Sequence, residues 1–286
     1  MDAVLRCGLR HLPNWAWADD LALWWGYRFR PAPCAVHLRS GALMEVRQTD
    51  YLQLMVYYRG TFEPHCLRYL RSCAGEGATI VDIGANVGVY TLESSLVVGP
   101  NGRVLAIEAA PSNAQELRRN IELNGMRNVS LLETAVGDST GFATLALSAG
   151  ANLGMFTLGA VSGETGCRVE VRRLDDLLEE IGVDRVDLIK MDIEGSEYRA
   201  LRGAEKTLAR HKPTLLIELN EEALRRCQSS TNDVKRLLRD AGYRGWLIGR
   251  KAVRPITEVQ SSHDCDECLF IHRGRVSLIR ELGLPN

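Results

Sequence analysis

The sequence predicts an α/β protein whose mostly parallel sheet carries helices on both faces, and three observations lead there. Thr79 to Thr91, reading TIVDIGANVGVYT, joins a short β-branched apolar run to a glycine turn and the start of a helix, as expected of a strand covered on both sides. Further strand-length runs at Arg103 to Ile107, Asn128 to Glu133, Val186 to Met191 and Thr214 to Leu219 are separated by helical stretches. The composition, 45% hydrophobic and 25% charged over 286 residues, suits one sizeable α/β domain plus an accessory segment.

The first strand and its turn predict a ligand. Asp82 stands near the strand's carboxyl end, and Gly84 and Gly88 bracket the turn, where a missing Cβ permits positive φ and close approach to the backbone. A dinucleotide fingerprint beginning at Gly84 would need glycines at Asn86 and Val89, and a P-loop would need a Gly-Lys-Ser/Thr ending; the chain has neither. The second run ends in Glu108, roughly where a doubly wound sheet places the carboxylate that grips a ribose. That pairing fits an adenosine ligand without a pyrophosphate.

Four stretches, VDIGANVGVYT, AIEAAP from Ala106, DLIKMDIEGSEYRALRGAE from Asp187 and KPTLLIELN from Lys212, resemble the FkbM family of S-adenosylmethionine (SAM) dependent methyltransferases. The resemblance covers roughly Gly60 to Asn220 and continues more weakly to about Arg273. It implies a Rossmann-like class I methyltransferase fold with a mostly parallel seven-stranded sheet, strand order 3-2-1-4-5-7-6, the last strand being an antiparallel insert. Residues 1–59 would form an N-terminal helical and hairpin extension, and residues 60–286 the methyltransferase domain. The cofactor would be held by Asp82, Gly84, Asn86, Gly88 and Glu108, with further contacts from Glu63, Asp138 and Asp192.

Taken in order, the chain begins with an aromatic segment carrying Trp15, Trp17, Trp24, Trp25, Tyr27 and Phe29. Its apolar run is too short to span a membrane and is interrupted by Asp19 and Asp20. It reads as an amphipathic helix packed on the domain or on a dimer partner, as a hydrophobic lid over the acceptor site, or as a membrane-surface element. Ala35 to Val46 alternates around Ser40-Gly41 as a hairpin, and a helix follows from about Asp50 to Tyr58. In GTFEP, Glu63 either contacts the cofactor, as the family's segment would, or caps the helix that starts at Pro64.

After the second strand, Ser112 and Gln115 form a capping-box pattern; Ala114, Leu117 and Ile121 mark a buried face, and Gly125 stops the helix. Asp138, in the turn where related folds hold the adenine, either bonds its exocyclic amine or caps the turn. Phe142 to Ala149 and Cys167 to Leu174 alternate as strands around a glycine-rich loop from Gly150 to Gly166, in which Asn152 matches a recurrent asparagine of the family. Leu174 to Leu177 opens a short helix, and Thr231 is read as the cap of a late one.

The fourth strand ends in Asp192, Glu194, Gly195 and Glu197; carboxylates this close together are costly unless they face a cation or take separate partners. SAM supplies a sulfonium and an ammonium. Asp192 is read as facing the ammonium or orienting the acceptor, Glu194 as catalytic or as a helix cap, and Glu197 as a helix cap. Alternation turns Glu218 and Asn220 to one side, towards the acceptor. The family often has histidine where Asn220 stands, and asparagine cannot accept a proton, so a base must come from Asp192, Glu194, Glu218 or a nearby loop.

The function implied is transfer of a methyl group to a hydroxyl of a small metabolite, sugar or natural product. Two alternatives stay open: a magnesium-assisted O-methyltransferase using Asp192, Glu218 and Asn220, magnesium being the less favoured option, and a catalytically idle SAM-binding scaffold. The formal net charge of −1 gives no overall case for nucleic acid, and the run Lys235, Arg236, Arg239, Arg244, Arg250, Lys251 and Arg254 reads as a solvated face. Eight scattered cysteines without a secretory signal point to a reducing cytoplasm; Cys265 and Cys268 form one C-x-x-C beside His263 and His272, short of a zinc set. The expected partner is a small-molecule acceptor, with room for a homodimer.

Overall fold

The computed structural model describes residues 9, 16–29, 33–47, 50–147, 156–158, 166–250, 252–256 and 265–285. Helix α1 (Ala16–Phe29) is followed by an antiparallel hairpin, β1 (Cys34–His37) and β2 (Leu43–Val46), and by α2 (Tyr51–Arg59). Asp50 caps α2 by accepting the Gln53 N–H at 2.8 Å, and Gly60, at φ 67°, ends it. Ala18 and Ala22 are buried, and a Cβ on Gly26 would meet Leu54 at 2.4 Å, so small residues let α1 lie closely on α2. The Arg59 guanidinium pairs with Asp19 at 3.1 Å, and Val87, Val89 and Leu92 share one apolar cluster with this extension. The helix therefore packs on the domain, while Trp17, Trp24 and Tyr27 remain exposed. No described helix is long and apolar enough to cross a membrane.

After α3 (Pro64–Cys73), the main sheet collects β3 (Thr79–Ile83), β4 (Arg103–Ile107), β5 (Val129–Leu132), β10 (Leu188–Met191), β11 (Thr214–Asn220), β12 (Tyr243–Ile248), β13 (Val253–Pro255) and β14 (Cys265–His272). Its order is β13-β12-β14-β11-β10-β3-β4-β5, with β5, β4, β3, β10 and β11 parallel and β14 antiparallel to both neighbours. This is the expected order with one further edge strand, β13, which makes eight. Strand alternation sends Val81, Ile83, Ile189, Met191 and Ile217 into one apolar cluster, and Ile80, Leu188, Leu216 and Leu269 into another on the opposite face. Apolar residues at consecutive positions are what a strand covered on both sides requires.

Helix α4 (Val89–Val98) follows the glycine turn, and α5 (Pro111–Leu123) follows β4. Ser112 does not cap α5: the first residue before it is Ala110, whose N–H goes to the Glu108 carboxylate, so the capping-box expectation fails. Between β5 and β10 the chain builds a separate four-stranded sheet in the order β6-β9-β7-β8, from β6 (Ala135–Val136), β7 (Gly141–Leu147), β8 (Phe156–Leu158) and β9 (Gly166–Arg172). Most of the predicted loop, with Asn152, lies outside the described residues. Leu174 opens α6 (Leu174–Glu180) and does not end a strand.

Leu201 and Leu208 sit in separate helices, α7 (Glu197–Arg202) and α8 (Glu205–His211), with Gly203 and Ala204 between them; a Cβ on Gly203 would meet the Gly137 carbonyl oxygen at 1.9 Å. Helix α9 (Glu221–Arg226) precedes α10 (Thr231–Asp240), which is capped by Ser230 accepting the Asp233 N–H, not by Thr231. A short α11 (Val276–Glu281) closes the described chain.

Candidate active site

The turn after β3 is held open by backbone constraints. The N–H groups of Gly84 and Ala85 both donate to the Ile107 carbonyl, at 2.9 and 3.1 Å. Gly84, at φ 79°, brings the turn so near the end of β10 that a Cβ would stand 1.9 Å from the Asp192 carbonyl oxygen. Asn86, at φ 50°, adopts a left-handed conformation that asparagine tolerates better than most residues, and its N–H donates to the Glu108 carboxylate at 2.7 Å. The second Glu108 oxygen accepts the Ala110 N–H, also at 2.7 Å. One carboxylate thus ties the turn to the start of α5. Burial pushes it up to about 7.

These groups line a cleft with about 620 Å³ of empty space, partly open to solvent. Gly84, Asn86, Glu108, Asp192 and Glu194 all stand on its walls, and Ala109, Val136 and Leu145 give it an apolar side. Glu194, at φ 51°, is pushed up to about 8 by burial and by the Asp192 carboxylate. Glu197 instead holds the turn: one buried oxygen accepts the N–H groups of Ile193 and Gly195, at 3.1 and 3.2 Å. Of these two glutamates, Glu194 is the one that lines the cleft.

Four expected cofactor contacts lie elsewhere. Asp82 is buried outside the cleft lining, accepts the Thr91 hydroxyl of α4 at 2.6 Å, and is pushed by burial up to about 6. Gly88 packs against Leu117 at the start of α4, where a Cβ would come within 2.5 Å of that side chain. Asp138 lines a neighbouring cleft with Gly137 and Arg199, its carbonyl accepting from Arg173 at 2.6 Å. Glu63 precedes α3 without capping it by its side chain; that carboxylate accepts the Tyr90 hydroxyl at 2.7 Å and lines a third cleft.

At the carboxyl end of β10 the structure assembles a charged group that the sequence reading missed. Lys190 follows Leu188 to the α3 and α4 face, pairs in register with Asp82 on β3, and buries its ammonium completely. Its Nζ is 3.7 Å from Asp192 Oδ2 and 4.8 Å from the centre of the Tyr90 ring, and it makes no hydrogen bond to any described group. Burial pulls its pKa down, but Asp192, Glu267, Glu63 and Glu218 together reverse this, so the ammonium is held above the usual lysine range. Glu218 stands opposite Glu267 on β14, and Asp192, then burial, push it up to about 10. A charged residue inside the buried run LIKM was the signal available beforehand.

Asn220 does not join this group. Its side-chain oxygen accepts the Ala223 N–H at 3.0 Å and caps α9, which removes it from the expected magnesium set of Asp192, Glu218 and Asn220. Lys190 already serves as the cation beside Asp192, so those residues do not fit a metal ion. Among the described residues the one group with metal-ligand proximity is Glu63, Cys66 and Glu267. Cys268 is a buried thiol within β14, and His263 and the Cys265 side chain lie outside the described residues.

Comparison with known proteins bears on this geometry. The family model described as "Methyltransferase FkbM domain" matches residues 82–244. Methyltransferase sdnD of Sordaria araneosa is 29% identical over 187 residues, 54% of this chain and 70% of that protein. The 31-O-demethyl-FK506 methyltransferase FkbM of Streptomyces tacrolimicus is 30% identical over 179 residues, covering 52% and 67%. The 2-O-methyltransferase NoeI of Sinorhizobium fredii (strain NBRC 101917 / NGR234) is 30% identical over 149 residues, covering 46% and 59%, so a substantial part of each relative has no counterpart in the match. The family model spans the glycine turn, Glu108, the acidic turn and Glu218 in one continuous alignment, and the chain belongs to the FkbM family of methyltransferases.

Proposed function

We propose that the protein transfers a methyl group from SAM to a hydroxyl of a small-molecule acceptor. The observation that carries this is that Glu108, the acidic turn residues Asp192 and Glu194, and Gly84 and Asn86 of the glycine turn together line one cleft. The relatives named for 31-O- and 2-O-methylation support the oxygen direction.

When bound, SAM supplies a methyl group activated by its sulfonium. Glu108 would accept from the ribose hydroxyls through the lone pairs left over from Asn86 and Ala110, and Ala109, Val136 and Leu145 would cover the base. Asp192, one-third exposed and fixed beside Lys190, would orient the acceptor hydroxyl and take its proton as the oxygen bonds to the methyl carbon. Glu218, carrying its own proton at neutral pH, would donate a hydrogen bond and not act as base. The proton ends on Asp192 Oδ, and S-adenosylhomocysteine departs.

Calorimetric titration with SAM, S-adenosylhomocysteine, NAD and ATP tests this reading. Binding of the first two alone, lost in Glu108→Ala, is the expected result. A folded protein that binds neither refutes it.

A further inference from the structure

Resting on the methyl-transfer reading above, a further assignment concerns where the acceptor sits. A second cleft, with about 560 Å³ of empty space, opens between the N-terminal helices and the start of α3. Glu63 stands on its wall, and a short chain of side chains connects this glutamate to the cofactor cleft. The Tyr90 hydroxyl donates to Glu63 at 2.7 Å, the Lys190 ammonium lies over the Tyr90 ring, and the same ammonium is 3.7 Å from Asp192, which lines the first cleft. The two clefts are thus two sides of one buried charged cluster.

Backbone strain marks the same places. Among the described residues, the non-glycine positions with positive φ are Glu63, Asn86, Glu194, Lys212 and Gln228, and the first three line one cleft or the other. Strained residues persist where surrounding structure over-determines them, and they gather at ligand sites.

The chemistry of the second cleft selects among ligands. Arg59 and Arg250 both pair with Asp19, at 3.1 and 2.9 Å, so these charges are already engaged and also fix α1 as a wall. Glu63 is the remaining carboxylate, and burial lowers His65, leaving a neutral imidazole. Burial, and then Glu267, push Glu63 up to about 8, so near neutral pH it holds its proton, and Arg59 and Arg250 against Asp19 leave the walls with one positive charge. Tyr51 and Phe62 meet edge to face, with centroids 6.0 Å apart, and supply an aromatic surface for a ring.

We infer that this second cleft is the acceptor site, that it takes a hydroxyl-bearing ring, and that the Glu63 carboxyl group positions the reacting hydroxyl towards Asp192. The Glu63 assignment to the cofactor is replaced by one to the acceptor.

Met55 lines this cleft and gives a direct reporter. Protein labelled at its methionine methyl groups and saturated with S-adenosylhomocysteine is titrated with methyl β-D-glucopyranoside, myo-inositol or inorganic phosphate, and the methyl resonances are followed. The neutral rings are expected to shift Met55 saturably while leaving the buried Met44 unmoved; Tyr51→Ala and Glu63→Gln each weaken that response by about tenfold or more, and Tyr51→Phe retains it. Neither ring shifting Met55, whether or not phosphate does, overturns the assignment. Calorimetry with S-adenosylhomocysteine on the same sample separates this outcome from failure of the methyl-transfer reading, because the nucleoside binds the first cleft only.

Discussion

Replacing Glu108 by glutamine tests the cofactor site through its proton. Burial pushes this carboxylate from 4.5 to about 7, so the folded chain holds the proton more tightly than the unfolded one. The sign follows: the stability it contributes is fully present below about pH 4.5 and is lost as pH rises through about 7, a change of about 3 kcal/mol. Ribose hydroxyls and a sulfonium both favour the ionised form. SAM binding should therefore release a proton below about pH 7, with affinity falling by up to about tenfold for each pH unit below that point and levelling above it. Glu108→Gln removes the titration and one charge-assisted hydrogen bond of about 1.5–3 kcal/mol, which weakens binding about 10- to 150-fold. Asp82 and Glu194 are also raised, to about 6 and about 8, and the single substitution isolates the share of Glu108. The assay is calorimetry across pH in two buffers of different ionisation enthalpy. Proton release unchanged in Glu108→Gln would refute the reasoning.

Two other substitutions probe the surrounding frame. Gly84→Ala combines a left-handed φ with a Cβ 1.9 Å from the Asp192 carbonyl oxygen, so the turn and β10 must separate. We expect loss of SAM binding and destabilisation of at least about 1–2 kcal/mol, read by denaturant unfolding. Lys190→Met leaves Asp192, 3.7 Å away, without its buried cation and should cost about 3–5 kcal/mol near neutral pH. Denaturant unfolding checks this, and a loss below about 1 kcal/mol would refute the electrostatic role.

The local pattern alone determined much of this protein. Consecutive apolar residues in Thr79 to Ile83 and Leu188 to Met191 announce strands buried on both faces, and the positions of Gly84, Glu108 and Asp192 just after their strands bring all three to one cleft at the carboxyl edge. These features are legible because period-two burial and glycine turns are short-range properties. Only tertiary structure decided which polar residues meet. Asn220 looked like an acceptor group until the following helix claimed its side chain as a cap, and Ser112 lost its capping role because the helix already begins at Pro111 and encloses it. Lys190, Glu218 and Glu267 come from three strands, two of them antiparallel to each other, and their mutual charge compensation exists only once β14 is inserted beside β11. Alternation assigns each residue a face of its own strand; only the register between distant strands assigns it neighbours, and the neighbours set the charge that each carboxylate carries.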